Sequence, residues 1–128
     1  MHRPTMVIRN EETDPRAISK DLVAASATPL VLAILRRGDS YGYAIIQEVR
    51  ELSGGRLAWT DGMLYPILHR LEEQGLIRAF WRESESGRKR KYYTLVEEGR
   101  TALATHREQW KAVHDALQAA WGKGVSHV

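Results

Sequence analysis

The sequence predicts a mainly α-helical chain carrying one small β-hairpin, and three observations predict it. Apolar residues recur at three- and four-residue spacing in several separate stretches, as in Leu64, Leu68 and Leu71. A turn-forming run, Ser84-Glu85-Ser86-Gly87, divides two short aromatic segments. A long final stretch from residue 96 to about 121 is helical in pattern and has no internal proline.

Each element follows from local signals. Residues 1–13 show no periodicity and read as a loose arm. Asp14-Pro15 has the form of an N-cap followed by a first-turn proline, so a first helix bearing Ile18, Leu22 and Ala25 is expected to run to about Ala27. Thr28-Pro29 repeats that signal, predicting a second, almost wholly apolar helix that Gly38 stops in a left-handed cap. Ser40 is expected to cap a third helix with Tyr41, Ile45, Ile46, Val49 and Leu52 turned inward, ended by Ser53-Gly54-Gly55. Leu57-Ala58-Trp59 is too short for a helix and reads as a small strand. Thr60 caps the next helix, which Gly75 ends; Pro66 lacks an amide and crowds the Gly62 carbonyl, predicting a bend or a loosened first turn. Residues 76–83 and 91–95 form the hairpin, and Gly122 stops the final helix before a frayed end at 125–128. No repeat, low-complexity run or long linker divides the chain.

With 128 residues, 43% hydrophobic and 27% charged, the chain has room for one folded unit with a core of its own. Its expected parts are an arm and helix at 1–27, a central domain at 28–95, and a last helix and tail at 96–128. The absence of cysteine excludes disulfides and thiolate metal sites and fits a reducing cytoplasm. The opening residues lack the apolar run of a signal peptide or membrane span, so a soluble, cytoplasmic protein without membrane contact is expected. The net charge of +3 barely favours a nucleic-acid partner. Its placement says more, because Arg88, Lys89, Arg90 and Lys91 stand in one unbroken run beside the turn.

Two short helices with a tight connection, followed by a basic-tipped hairpin, describe a winged helix-turn-helix domain flanked by an N-terminal helix and a long C-terminal dimerisation helix. One such helix fits the major groove of duplex DNA and reads base edges from its N-terminal turns, while the hairpin meets phosphates or the minor groove. Residues 60–74 are the expected recognition helix, with Thr60, Gly62, Tyr65, Pro66, His69 and Arg70 facing outward. Tyr65 is either a DNA contact or a packed aromatic with its hydroxyl at the surface. Arg70 either neutralises a phosphate or pairs with Glu73. Asp61 repels phosphate but suits the positive helix N-terminus. Arg88, Lys89 and Lys91 make the wing, whose contacts would be sequence-blind and salt-sensitive.

These residues also match a known family. Gly62-Met63-Leu64-Tyr65-Pro66-Ile67-Leu68-His69-Arg70-Leu71-Glu72 resembles the signature helix of PadR-type regulators. Gly75-Leu76-Ile77, Trp81, Glu83-Ser84-Glu85-Ser86-Gly87-Arg88, Lys91-Tyr92-Tyr93 and Glu97-Glu98-Gly99-Arg100 follow in the family's order and spacing, with Tyr41-Gly42-Tyr43 upstream. The resemblance implies a dimeric winged-helix transcription factor, most often a repressor, on an inverted-repeat operator. It also implies DNA contact at Tyr41, Tyr65, Pro66, His69, Arg70 and the wing residues Gly87, Arg88, Lys89 and Arg90. Met63 and Val96 depart from the family pattern, in which threonine or serine usually stands at the first position and threonine at the second. Without that hydroxyl the last helix loses a cap worth on the order of 1 kcal/mol.

Val96, Leu103, Trp110 and Leu117 recur every seven residues, with Gly99, His106, Val113 and Ala120 between them, forming a seam of about three heptads. One such helix on a small domain leaves Trp110 and Leu117 partly wet, so a homodimer is expected, joined through Leu22, Leu103, His106, Trp110, Val113, Leu117 and Trp121. One multidrug-binding branch of the family resembles this chain in carrying a last-helix tryptophan. There the tryptophans of two subunits sandwich flat aromatic ligands. Trp110 is thus a candidate contact for a planar aromatic effector, or an interface residue that only packs; Trp59, Trp81 and Trp121 read as core or interface. The five histidines have neither metal-ligand spacing nor a paired acid–base motif, so neither an enzyme nor a cofactor is expected. The competing reading is a winged-helix module that binds protein and no DNA.

Overall fold

A computed structural model describes residues 16–122. Among them the order is α1 (Lys20–Arg37), β1 (Ser40–Tyr41), α2 (Gly42–Leu52), α3 (Asp61–Glu73), β2 (Ile77–Glu83), β3 (Lys89–Leu95) and α4 (Glu97–Ala120). The expected arm at 1–13, the Asp14-Pro15 cap and the frayed residues 125–128 lie outside the described residues.

The largest departure from expectation is at the start. Thr28-Pro29 does not begin a second helix: α1 runs through Pro29 without interruption. Its N-cap is Ser19, whose side chain accepts from the Leu22 amide, and Arg16 to Ser19 are not helical. Proline removes one interior hydrogen bond, but Ala27, Val31, Leu32, Ile34 and Leu35 are all buried on the helix, and that burial outweighs one lost bond. Gly38 ends α1 as its C-cap, in an extended rather than a left-handed conformation.

Ser40 pairs rather than caps. Ser40 and Tyr41 form β1 against Tyr93 and Tyr92 of β3, so the sheet has three antiparallel strands in the order β1-β3-β2. The N-cap of α2 is Tyr41, which makes no side-chain cap bond. Leu57-Ala58-Trp59 is loop, not strand. The loop is held by the Ser53 hydroxyl, which accepts from the Leu57 amide at 2.9 Å, and it drops Trp59 into the core.

Thr60 caps α3 by accepting from the Met63 amide, and α3 stays helical on both sides of Pro66. Its end is a Schellman motif: Gly75, at φ 75°, donates to the Glu72 carbonyl, and Leu76 donates to Leu71. That turn launches β2, which pairs with β3 from Ile77↔Leu95 to Glu83↔Lys89. The core is one cluster under the sheet, drawn from α1, α2, α3, the sheet and Leu103 of α4. Leu103 was expected between two copies; it lies instead inside the protomer, because the first turns of α4 pack on α1. Gly99 permits this, since a Cβ there would overlap the Leu76 carbonyl and the Leu95 side chain. As expected, Val96 gives α4 no side-chain cap; Glu97 and Glu98 in the first turn complement the helix dipole instead. No described helix is long and apolar enough to cross a membrane.

Candidate nucleic-acid interface

Strand geometry sorts the basic run. Successive side chains on a strand point to opposite faces, so Lys89 and Lys91 share the face of buried Tyr93, whereas Arg90 shares the outer face with Tyr92. The expected single cationic point is therefore two flanks of one hairpin. On the outer face Arg90 lies 4.5 Å from the Tyr41 ring centre, and Arg82 lies 4.5 Å from that of Tyr92. Tyr41, Tyr92 and Phe80 stack beneath them, with ring centroids 5.1 and 5.8 Å apart. Guanidinium groups held on aromatic faces keep their charge and lose rotamer freedom before any ligand arrives. Lys91 lies over the Tyr93 ring at 5.8 Å on the other face.

The tip is built to be rigid. The Ser84 amide donates to the Arg88 carbonyl at 2.7 Å, and Gly87, in the left-handed region at φ 86°, donates back to Ser84. The Ser84 hydroxyl accepts from the Arg88 amide at 3.2 Å. Arg88 and Lys89 are exposed at this tip.

The recognition helix lies alongside. Leu64, Ile67, Leu68 and Leu71 are its buried face, and Thr60, Gly62, Tyr65, Pro66, His69 and Arg70 are all exposed. A Cβ on Gly62 would meet nothing closer than 3.9 Å, so its absence simply clears the outer surface of the first turn. Tyr65 is 39% exposed, and its hydroxyl end, expected at the surface if the ring packs, rests instead on Gly42, where any Cβ would overlap it. That role of Gly42 escaped the sequence reading; the only signal was its place between Tyr41 and Tyr43. Tyr41, Gly42, Tyr43, Tyr65, Arg88, Arg90 and Lys91 together line one shallow concavity of about 390 Å³. Three separate stretches of sequence thus meet on one surface.

The outer surface of α3 changes character along its length. His69 shares a second shallow depression with Glu72 and Glu73. Two carboxylates there repel phosphate, as Asp61 does at the first turn, so the cations of the site are those of the wing, Arg88, Arg90 and Lys91. Arg70 does not pair with Glu73: exposed on α3, its Nη2 donates to Thr28 Oγ1 of α1 at 2.9 Å. Behind the site, the Tyr93 hydroxyl is buried without a hydrogen-bond partner, and its pKa is pushed up to about 12, first by burial and then by nearby Tyr65 and Glu72.

The far side of the molecule is apolar. Trp110, Val113, Leu117 and Trp121 of α4 are 37, 51, 41 and 70% exposed, and Leu22 of α1 is 54% exposed. His106 is half-buried. Between α1 and α4 lies a groove of about 220 Å³ lined by Ser26, Pro29, Leu30, Ala33, Leu103, His106, Arg107 and Trp110. Of the other tryptophans, Trp59 is core and Trp81, on the wing, is 65% exposed.

Comparison with known proteins points one way. Residues 31–105 match the model of the transcriptional regulator PadR-like family. Over 90 residues the chain is 37% identical to the transcriptional regulator YqjI of Escherichia coli K12, covering 70% of this chain and 42% of that longer protein. A PadR family transcription regulator from Clostridium difficile R20291 is 30% identical, with a TM-score of 0.68 over 76% of this chain and 99% of that one. A transcriptional regulator from Clostridium thermocellum is 27% identical, with a TM-score of 0.73 over 80% and 97% of the two chains.

Proposed function

The chain belongs to the PadR-like family of transcriptional regulators, a family of regulators and not of enzymes, and from that premise we propose that it is a cytoplasmic repressor binding an inverted-repeat operator in duplex DNA as a homodimer. The observation that carries this reading is the concavity in which Tyr65 of α3 faces Tyr41 and the cations Arg88, Arg90 and Lys91. In this reading residues 28–95 hold the DNA. Thr60, Gly62, Tyr65, Pro66 and His69 enter the major groove, Tyr41 supports them, and the wing from Gly87 through Lys91 follows the phosphates.

The later turns of α4 join the two copies. Trp110, Val113 and Leu117 expose apolar area along one side of α4, and burying such a side chain contributes roughly 1.5–3 kcal/mol. His106, Trp121 and Leu22 extend the same face. The groove beside Trp110 supports a planar aromatic effector that loosens the repressor from its operator.

The test is a titration of duplex DNA against salt. Affinity falls steeply as salt rises, and Arg88→Ala with Lys89→Ala weakens every sequence alike and makes the log–log slope shallower by up to about 3.6, at 0.9 per phosphate contact and two contacts in each copy of the dimer. Loss at the preferred site alone would mean that the wing reads bases. No binding to any duplex at low salt would leave a protein-interaction module.

A further inference from the structure

We infer that Arg70 is a positioning residue, which sets the recognition helix against α1 through Thr28 instead of touching nucleic acid; this rests on the DNA-binding reading above. The hydrogen bond from Arg70 Nη2 to Thr28 Oγ1, at 2.9 Å, joins residues 42 apart in sequence. It ties the exposed flank of α3 to a helix that is itself anchored in the core through Ala27 and Val31, on either side of Thr28.

Helical geometry puts Arg70 on the flank of α3 that faces α1, away from the concavity that Tyr65 lines. At roughly 100° per residue, Tyr65 and Arg70 each fall roughly 110° from the centre of the buried stripe, on opposite sides. Gly62, Pro66 and His69 lie between them and face directly outward. Tyr65 rests on Gly42 of α2 on one flank, and Arg70 reaches Thr28 of α1 on the other. The helix is therefore held from both sides, and the surface free to enter DNA is the one between these two residues together with the exposed edge of Tyr65, which lines the concavity with Tyr41 and Arg90. Arg70 also stands nine residues beyond Asp61, about 13 Å along the axis from the first turn, next to the acidic end at Glu72 and Glu73. A phosphate there would meet the Glu73 carboxylate, one turn further along the same flank.

A guanidinium–hydroxyl bond that holds a helix in its binding pose raises affinity by raising the fraction of molecules already in that pose. Thr28→Val is nearly isosteric, removes only the acceptor and leaves the charge of Arg70 in place, so it separates positioning from charge.

The experiment is a double-mutant cycle on the full chain, read by fluorescence-anisotropy titration of a bound duplex at several salt concentrations, with hydrogen exchange of the α3 amides in the free protein. Thr28→Val and Arg70→Ala are each expected to weaken binding about 3- to 10-fold. The pair together should do no more than either alone, the salt slope should not change, and α3 exchange should quicken in both. Arg70→Lys, which keeps the charge and loses the planar fork, is expected to behave like Arg70→Ala.

The inference is overturned if Thr28→Val binds normally while Arg70→Ala weakens binding and makes the salt slope about 1.8 shallower, at 0.9 for each copy of the dimer, because Arg70 is then a phosphate ligand. Full rescue by Arg70→Lys overturns it in the same way, and so does unaltered α3 exchange in both variants. If the unsubstituted protein binds no duplex at low salt, the DNA reading itself fails, and that failure is told from the others because it precedes any substitution.

Discussion

The two halves of α4 carry one apolar repeat and meet opposite surroundings. In the first half Gly99 and Leu103 are buried against α1, Leu76 and Leu95, so the repeat is spent on the protomer's own core. In the second half Trp110, Val113 and Leu117 continue the same spacing and stay 37, 51 and 41% exposed among the described residues. A seven-residue period states that one side of a helix is apolar. It does not state which body covers that side, and here the answer changes near His106. The difference also separates two kinds of energy: what holds the fold lies in the first half, and what is available for association lies in the second.

Substitutions that tell the halves apart would break or sharpen this contrast. The largest effect is expected from Leu103→Ala, which leaves a cavity in the core and lowers unfolding stability by about 3 kcal/mol in urea denaturation at fixed protein concentration. A loss below about 1 kcal/mol would mean that the first half is not core. Trp110→Ala is expected to change protomer stability by less than about 1 kcal/mol and yet to weaken the dimer tenfold or more, about 1.4 kcal/mol, in sedimentation equilibrium. An unchanged dissociation constant would remove Trp110 from the interface.

The smallest effect extends the contrast from α4 to the sheet. Tyr93 is as buried as Leu103, but it carries a hydroxyl with no partner. Its folded pKa of about 12 lies above the ordinary value of 10.0, so the unfolded chain loses its proton first. Stability is therefore full below pH 10 and falls as pH rises toward 12. Tyr93→Phe should flatten that alkaline decline and shift stability at neutral pH by less than about 1 kcal/mol, because no hydrogen bond is lost.

Much of the site was legible in the chain. Leu64, Leu68 and Leu71 at helical spacing marked which side of α3 is buried, and hence which residues face out. The Ser84 to Gly87 turn located the wing tip, and the linked motifs from Gly62 to Arg100 identified the family. What stayed hidden depended on partners remote in sequence. Thr28-Pro29 has the local form of a helix start, and only the burial of Ala27, Val31 and Leu32 around it shows that α1 continues. β1 is two residues long and exists only because Tyr92 and Tyr93 lie opposite. The approach of Tyr65 to Gly42, and of Arg70 to Thr28, had no pattern to announce it.

The sequence by itself determined the helices from α2 onward, the hairpin, the family and the outward residues of α3, because periodicity and turn chemistry act over a few residues. Tertiary structure alone decided that Leu103 is core, that Ser40 and Tyr41 pair as a strand, and that Arg70 turns toward α1. Those outcomes depend on which distant surfaces come within a few ångströms, and such distances are set by the packing of the whole core and not by neighbours along the chain.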